Sequence, residues 1–104
     1  MRCVWYNGGV VGVRIGVFMK ELEKTLKALA NRRRLAILTH LKGRKEATVG
    51  DIAAAIKLSF RATSKHLGIL AAAEIVEREQ RSLNVYYRLA APQKPLVRSV
   101  LNQV

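Results

Sequence analysis

A chain of 104 residues with a formal net charge of +12 is expected to form one domain with a modest core. Its charge indicates a polyanionic partner, either nucleic acid or an acidic membrane surface. The one cysteine, Cys3, excludes an internal disulfide framework, although it could pair between chains, and is typical of a reducing compartment. No apolar run reaches the ~18 residues that a transmembrane helix needs. We therefore expect a cytoplasmic protein with no membrane partner.

Residues 1–18 are rich in glycine and contain no acidic residue. The sequence Asn7-Gly8-Gly9 between two apolar runs is typical of a β-hairpin turn. Two other interpretations stay open, namely a frayed tail and an extension upstream of a biological start at Met19. Cys3 could also act as a redox sensor.

From Lys20 the apolar spacing predicts helices. Leu22, Leu26 and Leu29 repeat at intervals of four and three residues, which indicates an amphipathic first helix. Such a helix has one apolar face to bury.

Asn31 is a suitable N-cap for a second helix that runs to Leu41, and Gly43 ends it. The expected buried face of this helix is formed by Leu35, Ile37, Leu38 and Leu41. The run Arg32-Arg33-Arg34 lies in its first turn, where cations oppose the helix dipole. This run is either a solvated face or a phosphate contact.

Two further helices have clear N-terminal signals. Thr48 and Asp51 have the spacing of a capping box, and Ser59 is a good N-cap for a helix that extends to Ala73. Two short helices joined by about three residues form a helix-turn-helix. The second of them contains no acidic residue, which suits a helix that enters a DNA major groove.

The helix after Ser59 has two different faces. We expect an inward face formed by Thr63, Leu67, Leu70, Ala62, His66 and Ile69, and an outward face formed by Phe60, Arg61, Ser64, Lys65 and Gly68.

After Ala73 the pattern changes to that of strands. Residues 75–80 and 84–89 are β-prone and are separated by Arg81-Ser82-Leu83, which predicts a hairpin. Such a ribbon is marginal alone and must pack on the helices. Pro95 suits the first position of a final helix with an apolar stripe.

In this order the motifs resemble the winged helix-turn-helix of ArsR-type transcriptional regulators. The resemblance covers roughly residues 22–89 and depends most on residues 31–38, 64–70 and 85–89. It implies a mainly α fold with a β-hairpin wing, dimeric through its first and last helices. Residues 19–91 would form the DNA-binding domain, residues 92–104 a dimerisation helix, and residues 1–18 an N-terminal extension.

The resemblance also implies the residues of two binding surfaces. The expected DNA contacts are Lys57, Ser59, Phe60, Arg61, Ser64, Lys65, Arg78 and Arg81. The expected dimer contacts are Leu22, Leu26, Leu29, Leu96, Val97, Val100, Leu101 and Val104.

The sequence departs from metal-sensing members of that family. Thr48 and Gly50 stand where many of them carry a cysteine pair, and the last helix contains no histidine or carboxylate. We expect no metal and no cofactor. His66 is interpreted as a packed histidine rather than a ligand, and His40 as favourable at a helix C-terminus.

These patterns predict a sequence-specific DNA-binding regulator, most simply a repressor that binds a pseudo-palindromic operator as a homodimer. Its effector is unknown. No catalytic constellation or nucleotide-binding loop can be named, so we expect no enzyme. The alternatives are a non-specific architectural DNA-binding protein and a winged helix that serves as a protein-interaction module.

Overall fold

The computed structural model describes the backbone of residues 9–104 and the side chains from Phe18 onward. This part of the chain contains five helices and three strands. They are α1 (Gly9–Leu29), α2 (Arg32–Lys42), β1 (Ala47–Thr48), α3 (Val49–Ile56), α4 (Phe60–Ala72), β2 (Val76–Arg81), β3 (Asn84–Leu89) and α5 (Pro95–Leu101). The predicted mainly helical architecture with a β-hairpin wing is confirmed. None of the described helices is long and apolar enough to cross a membrane.

The first helix is longer than the sequence pattern predicts, because α1 begins at Gly9 rather than near Lys20. The hairpin interpretation is therefore wrong for its second arm, since residues 10–18 are helical. An apolar run fits a strand or a helix by pattern alone, and elongation of an existing helix avoids the cost of a new nucleus. Residues 1–8, which include Cys3 and the first arm of that hairpin, lie outside the described residues.

Helix α2 lies at the centre of the core. Ile37, Leu38 and Leu41 are fully buried, whereas Leu35 is only half-buried. The predicted N-cap is confirmed, because Asn31 Oδ1 accepts hydrogen bonds from two backbone N–H groups of the first turn at 2.9 and 3.2 Å. Such a cap replaces part of the missing intrahelical bonding.

The helix-turn-helix of α3 and α4 has the predicted local chemistry. Thr48 Oγ1 accepts from Asp51 N at 3.2 Å, and the Asp51 carboxylate accepts from Thr48 N at 3.5 Å, which completes a capping box. Lys57 turns the chain with φ of 57° in the left-handed region. Ser59 Oγ then accepts from Ala62 N at 3.1 Å and starts α4.

The buried face of α4 is narrower than predicted. Thr63, Leu67 and Leu70 are fully buried, but Ile69 is 38% exposed and lies at the edge of the face. The prediction that Ile69 points inward is wrong. The buried face of the helix is centred on Leu67 and Leu70, and Ile69 therefore lies at the solvent-exposed edge of this face.

The wing contains one more strand than predicted. Its antiparallel order is β1-β3-β2, with Ala47 opposite Tyr87 and Thr48 opposite Tyr86. A two-residue strand leaves no pattern in the sequence. The hairpin turn is also tighter than predicted, since Arg81 pairs with Asn84 and Ser82 takes φ of 57° in place of a glycine.

Two leucines give a matched test of this core. Leu38→Ala should lower the free energy of unfolding by about 2–5 kcal/mol, because a buried cavity replaces the side chain. Leu83→Ala should change it by less than about 0.5 kcal/mol, because Leu83 is 94% exposed at the tip of the hairpin. Urea denaturation of the two variants measures both values, and equal losses would contradict the assignment of α2 to the core.

Candidate nucleic-acid interface

The first turns of α4 present a cationic and partly apolar surface. Arg61 and Lys65 are exposed, Phe60 is 63% exposed, and Ser64 is half-buried between them and the wing. Ser59 is also exposed, and its oxygen is already used as the helix cap. The outward face of the sequence interpretation is therefore confirmed for these positions, apart from the partial burial of Ser64.

A cleft of about 480 Å³ lies between the start of α3, the start of α4 and the hairpin. Gly50, Phe60, Ser64 and Arg78 are among the residues that line it. Arg78 is opposite Tyr87 in the strand register, and the Tyr87 side chain is buried. Side chains of directly paired residues share one face of a sheet, so Arg78 lies on the face that packs toward the helices.

Arg81 lies on the opposite face of the hairpin, because it is three positions after Arg78 and successive side chains of a strand alternate between the two faces. Its guanidinium donates to both carboxylate oxygens of Glu46 at 2.6 Å and to Glu79 at 3.0 and 3.1 Å. It also lies 4.6 Å from the centroid of the Tyr86 ring. This geometry favours a structural role for Arg81 over the predicted phosphate contact.

A second arginine completes the ion-pair network on that face. Arg88 donates to Glu77 at 3.1 Å and to Glu79 at 2.8 Å. Hydrogen bonds from Arg81 and Arg88 lower the pKa of Glu79 to about 2, and the carboxylates of Glu46 and Glu79 raise the pKa of Arg81. The outer face of the wing is therefore nearly balanced in charge, while the face with Arg78 carries the unbalanced cation.

The arginine run at the start of α2 is divided between two environments. Arg32 and Arg33 are exposed. Arg34 is half-buried, and its Nε donates to Ala28 O at 2.7 Å and its Nη2 to Lys27 O at 3.2 Å. The sequence alone allows two interpretations of this run, a solvated face or a phosphate contact. Neither describes Arg34, whose side chain donates hydrogen bonds to the backbone of α1.

Both histidines favour the neutral form. Burial, followed by the charge of Arg34, lowers the pKa of His66, and its Nδ1 lies 3.2 Å from Arg34 Nη1. His66 is half-buried, in agreement with a packed histidine. Burial and then Arg44 lower the pKa of His40, so the expected dipole interaction of a charged His40 is not supported.

No group of three or more His, Cys, Asp or Glu side chains that could hold a metal ion occurs among the described residues. Thr48 and Gly50, for which the family resemblance raised the question of a cysteine pair, lie at the start of α3. The Thr48 hydroxyl is used there in the capping box.

The predicted dimer residues divide into two groups. Leu26 and Val104 are exposed, while Leu22, Leu96 and Val100 are half-buried. Leu29, Val97 and Leu101 are buried within the protomer, which corrects their assignment, because a core side chain has no surface to offer a partner. The sequence stripe on α5 mixes both groups, since the short helix packs one edge on α2.

An apolar hollow of about 560 Å³ lies between α1 and α5. Phe18, Leu22, Pro95 and Leu96 are among the residues that line it, and Phe18 is 55% exposed. Sequence reasoning omitted Phe18 because it was assigned to the N-terminal extension. Its helical position one turn before Leu22 was the signal that could have found it.

Comparison with known proteins agrees with this geometry. A family model described as a helix-turn-helix domain matches residues 29–79. The transcriptional activator HlyU of Vibrio cholerae is 31% identical over 93 residues, which cover 83% of this chain and 85% of HlyU. A homodimeric winged helix-turn-helix DNA-binding domain from Mycobacterium bovis, a possible ArsR-family transcriptional regulator, superposes with a TM-score of 0.76. It shares 30% sequence identity, and the match covers 86% of this chain and 81% of that one.

The chain belongs to the ArsR family of winged helix-turn-helix transcriptional regulators. It is also 38% identical over 71 residues to a transcriptional repressor SmtB homolog of Synechocystis, which covers 68% of this chain and about half (53%) of that protein. As an ArsR-family member, the protein is a DNA-binding transcription regulator and not an enzyme. Both expectations from the sequence are thereby confirmed.

The ion-pair network predicts how acid acts on the wing of this ArsR-family protein. The folded-state pKa of Glu79 is about 2, below its ordinary 4.5, so ionised Glu79 stabilises the fold above pH 4.5. This contribution is lost as the pH falls from 4.5 toward 2. The free energy of unfolding should therefore fall more steeply in this window for the wild type than for Glu79→Gln.

Urea denaturation at a series of pH values measures this difference. Glu74→Gln is the matched control, because Glu74 is exposed and lies outside the network. If the two variants follow the same pH profile, the network does not stabilise the wing.

Proposed function

We propose that this protein binds an inverted-repeat DNA operator as a homodimer and represses transcription from it. The observation that carries the proposal is the pair of exposed cations Arg61 and Lys65 on α4, together with Arg78, which lines the cleft between α4 and the wing. The carboxylates of the wing are bonded to arginines on its other face. A helix with such a cationic surface suits the major groove, and half-sites of a symmetric dimer lie about one helical turn apart.

Each exposed side chain of this surface has a distinct proposed role. Arg61 and Lys65 would donate to guanine, and Phe60 would contact a thymine methyl group. Lys57 at the turn, with Ser59 or Ser64, would contact phosphate and set the register of α4 on the duplex. We propose Arg78 rather than Arg81 as the wing contact, since the donors of Arg81 are used by Glu46 and Glu79.

The apolar surface of α1 and α5 supports the homodimer. Leu26 is 46% exposed and Phe18 is 55% exposed, and monomeric proteins rarely leave large continuous apolar patches in water. The similar domain from Mycobacterium bovis is homodimeric. We propose that Phe18, Leu22, Leu26, Leu96 and Val100 form the interface, supported from beneath by the buried Leu29, Val97 and Leu101.

Repression is the simplest mode of action, because a dimer that covers an operator excludes polymerase from it. One relative is named as a transcriptional activator and another as a transcriptional repressor. Repression is therefore tested by measuring transcription from a promoter that carries the operator, with and without the protein. We further propose that the protein has no cysteine-pair metal site at the start of α3, since Thr48 and Gly50 stand at the positions where the family resemblance would place the two thiols.

Selection of bound sequences from a random duplex pool at about 150 mM salt tests the operator. We expect an inverted repeat. Arg61→Ala and Lys65→Ala should each weaken binding to it by roughly 1–3 kcal/mol and relax the preference for the base that each contacts. Lys24→Ala removes one charge from an exposed position of α1 and should leave both properties nearly unchanged.

The two wing arginines give a second comparison in the same assay. Arg78→Ala should weaken binding and reduce its salt dependence by about one counterion, whereas Arg81→Ala should act mainly on the stability of the wing. Unselective, salt-sensitive binding would favour an architectural protein instead. Operator binding that survives the loss of Arg61 and Lys65 would contradict their proposed role, and absence of DNA binding by the wild type would favour a protein-interaction module.

The dimer has its own test. Leu26→Glu puts a charge on the proposed interface and should shift the protein toward the monomer in sedimentation experiments, because an unpaired charge is costly to bury. Leu83→Glu places the same change at the tip of the wing and should leave the mass unchanged. A monomeric wild type would refute the proposed interface.

A further inference from the structure

We infer that Arg34 is a positioning residue that fixes the recognition helix α4 to the end of α1 through His66. The inference rests on the proposal that α4 reads DNA and that α1 forms part of the dimer interface. It concerns the geometry between these two helices rather than a contact with DNA.

The first half of the connection is at the C-terminus of α1. The last carbonyl groups of a helix have no intrahelical donor. α1 ends at Leu29, and Arg34 supplies donors to two of these groups, at 2.7 Å to Ala28 O and at 3.2 Å to Lys27 O. A cation at this end also interacts favourably with the helix dipole. The planar guanidinium is therefore held in one orientation by α1.

The second half is on α4. The remaining nitrogen of Arg34, Nη1, lies 3.2 Å from His66 Nδ1. Arginine has no acceptor, so Nδ1 must accept and the ring proton must lie on Nε2. His66 directly follows Lys65, which we propose to contact DNA, and lies in the same helix as Arg61. One rigid side chain thus joins α1 to the DNA-reading helix.

The connection between α1 and α4 through Arg34 and His66 should determine which spacing between DNA half-sites the dimer prefers. The two α4 helices of a dimer are held apart by the paired α1 helices, so the angle between α1 and α4 sets the distance between the bases that they read. A loose connection would let each half bind its site while the preference for one spacing is lost.

Acid should break the connection. A protonated His66 has donors on both nitrogens and faces only cations among the charged groups that act on it, Arg33 and Arg34 from α2 and Lys65 from α4. On α1, the Lys27 ammonium pairs with the Glu23 carboxylate at 3.4 Å, and no carboxylate is among the charged groups that act on His66. Below the ordinary histidine pKa, unfolded or detached His66 takes up the proton more readily than the bonded ring does.

The test compares the selected operator with versions in which the half-sites are moved together or apart by one base pair. The variants are Arg34→Lys, His66→Leu and His66→Gln. The wild type should prefer its own spacing by roughly tenfold or more, and the first two variants should reduce this preference to about threefold or less. His66→Gln should retain it, because an amide oxygen also accepts from Arg34, and should make the preference independent of pH between about 5.5 and 8.

A second measurement is independent of the operator. The ¹⁵N spectrum of the imidazole should show the Nε2–H tautomer in the wild type and a mixture of tautomers in Arg34→Lys. A wild-type ring that carries its proton on Nδ1 would overturn the inference, as would a His66→Leu variant with an unchanged spacing preference. If the wild type binds no inverted repeat, the proposed function fails, and the tautomer experiment still decides whether Arg34 holds His66.

Discussion

The rest of the structure depends on how α2 is held. Its side chains Ile37 and Leu38 are fully buried, and cations at its two ends bond to the C-termini of two other helices. Arg34 donates to Ala28 O of α1 at 2.7 Å, and Lys42 Nζ donates to Leu101 O of α5 at 2.7 Å. Charge-assisted bonds of this kind are stronger than neutral ones. Helix α2 thereby fixes both helices of the proposed dimer interface relative to the core that carries α3 and α4.

The wing is organised by a separation of charge between its two faces. Arg81 and Arg88 are bonded to Glu46, Glu77 and Glu79 on the outer face. Because residues alternate along a strand, Arg78 lies on the other face beside α4. A net charge of +12 is thus divided into cations that stabilise the fold and cations that are left for a polyanion. Solvent exposure and ion pairing distinguish these two groups of cations, whereas the net charge alone does not.

Local chemistry explains why much of the fold could be predicted. The caps at Asn31, Thr48 and Ser59 act over two or three residues, so the sequence contains both partners of each hydrogen bond. Two β-prone runs joined by a short turn likewise predict their own pairing. Strand β1 could not be predicted, because Ala47 and Thr48 form it only when Tyr86 and Tyr87 are brought beside them. The start of α1 was missed since an apolar run lacks a single period.

The sequence by itself determined the helix order, the helix-turn-helix, the hairpin, the exposed cationic edge of α4 and the family. The structural elements follow from periodicity and from contacts between near neighbours in the chain, whereas the family follows from the resemblance of the motifs. Only the tertiary structure decided which residues of one type serve which role. Arg34 donates a hydrogen bond to the backbone of α1, whereas Arg33 is exposed. Arg81 forms an ion pair with Glu46, Arg78 lines the cleft, and Val97 is buried in the core. The physical reason is that hydrogen-bond partners such as Arg34 and His66, 32 residues apart, meet only when the helices pack.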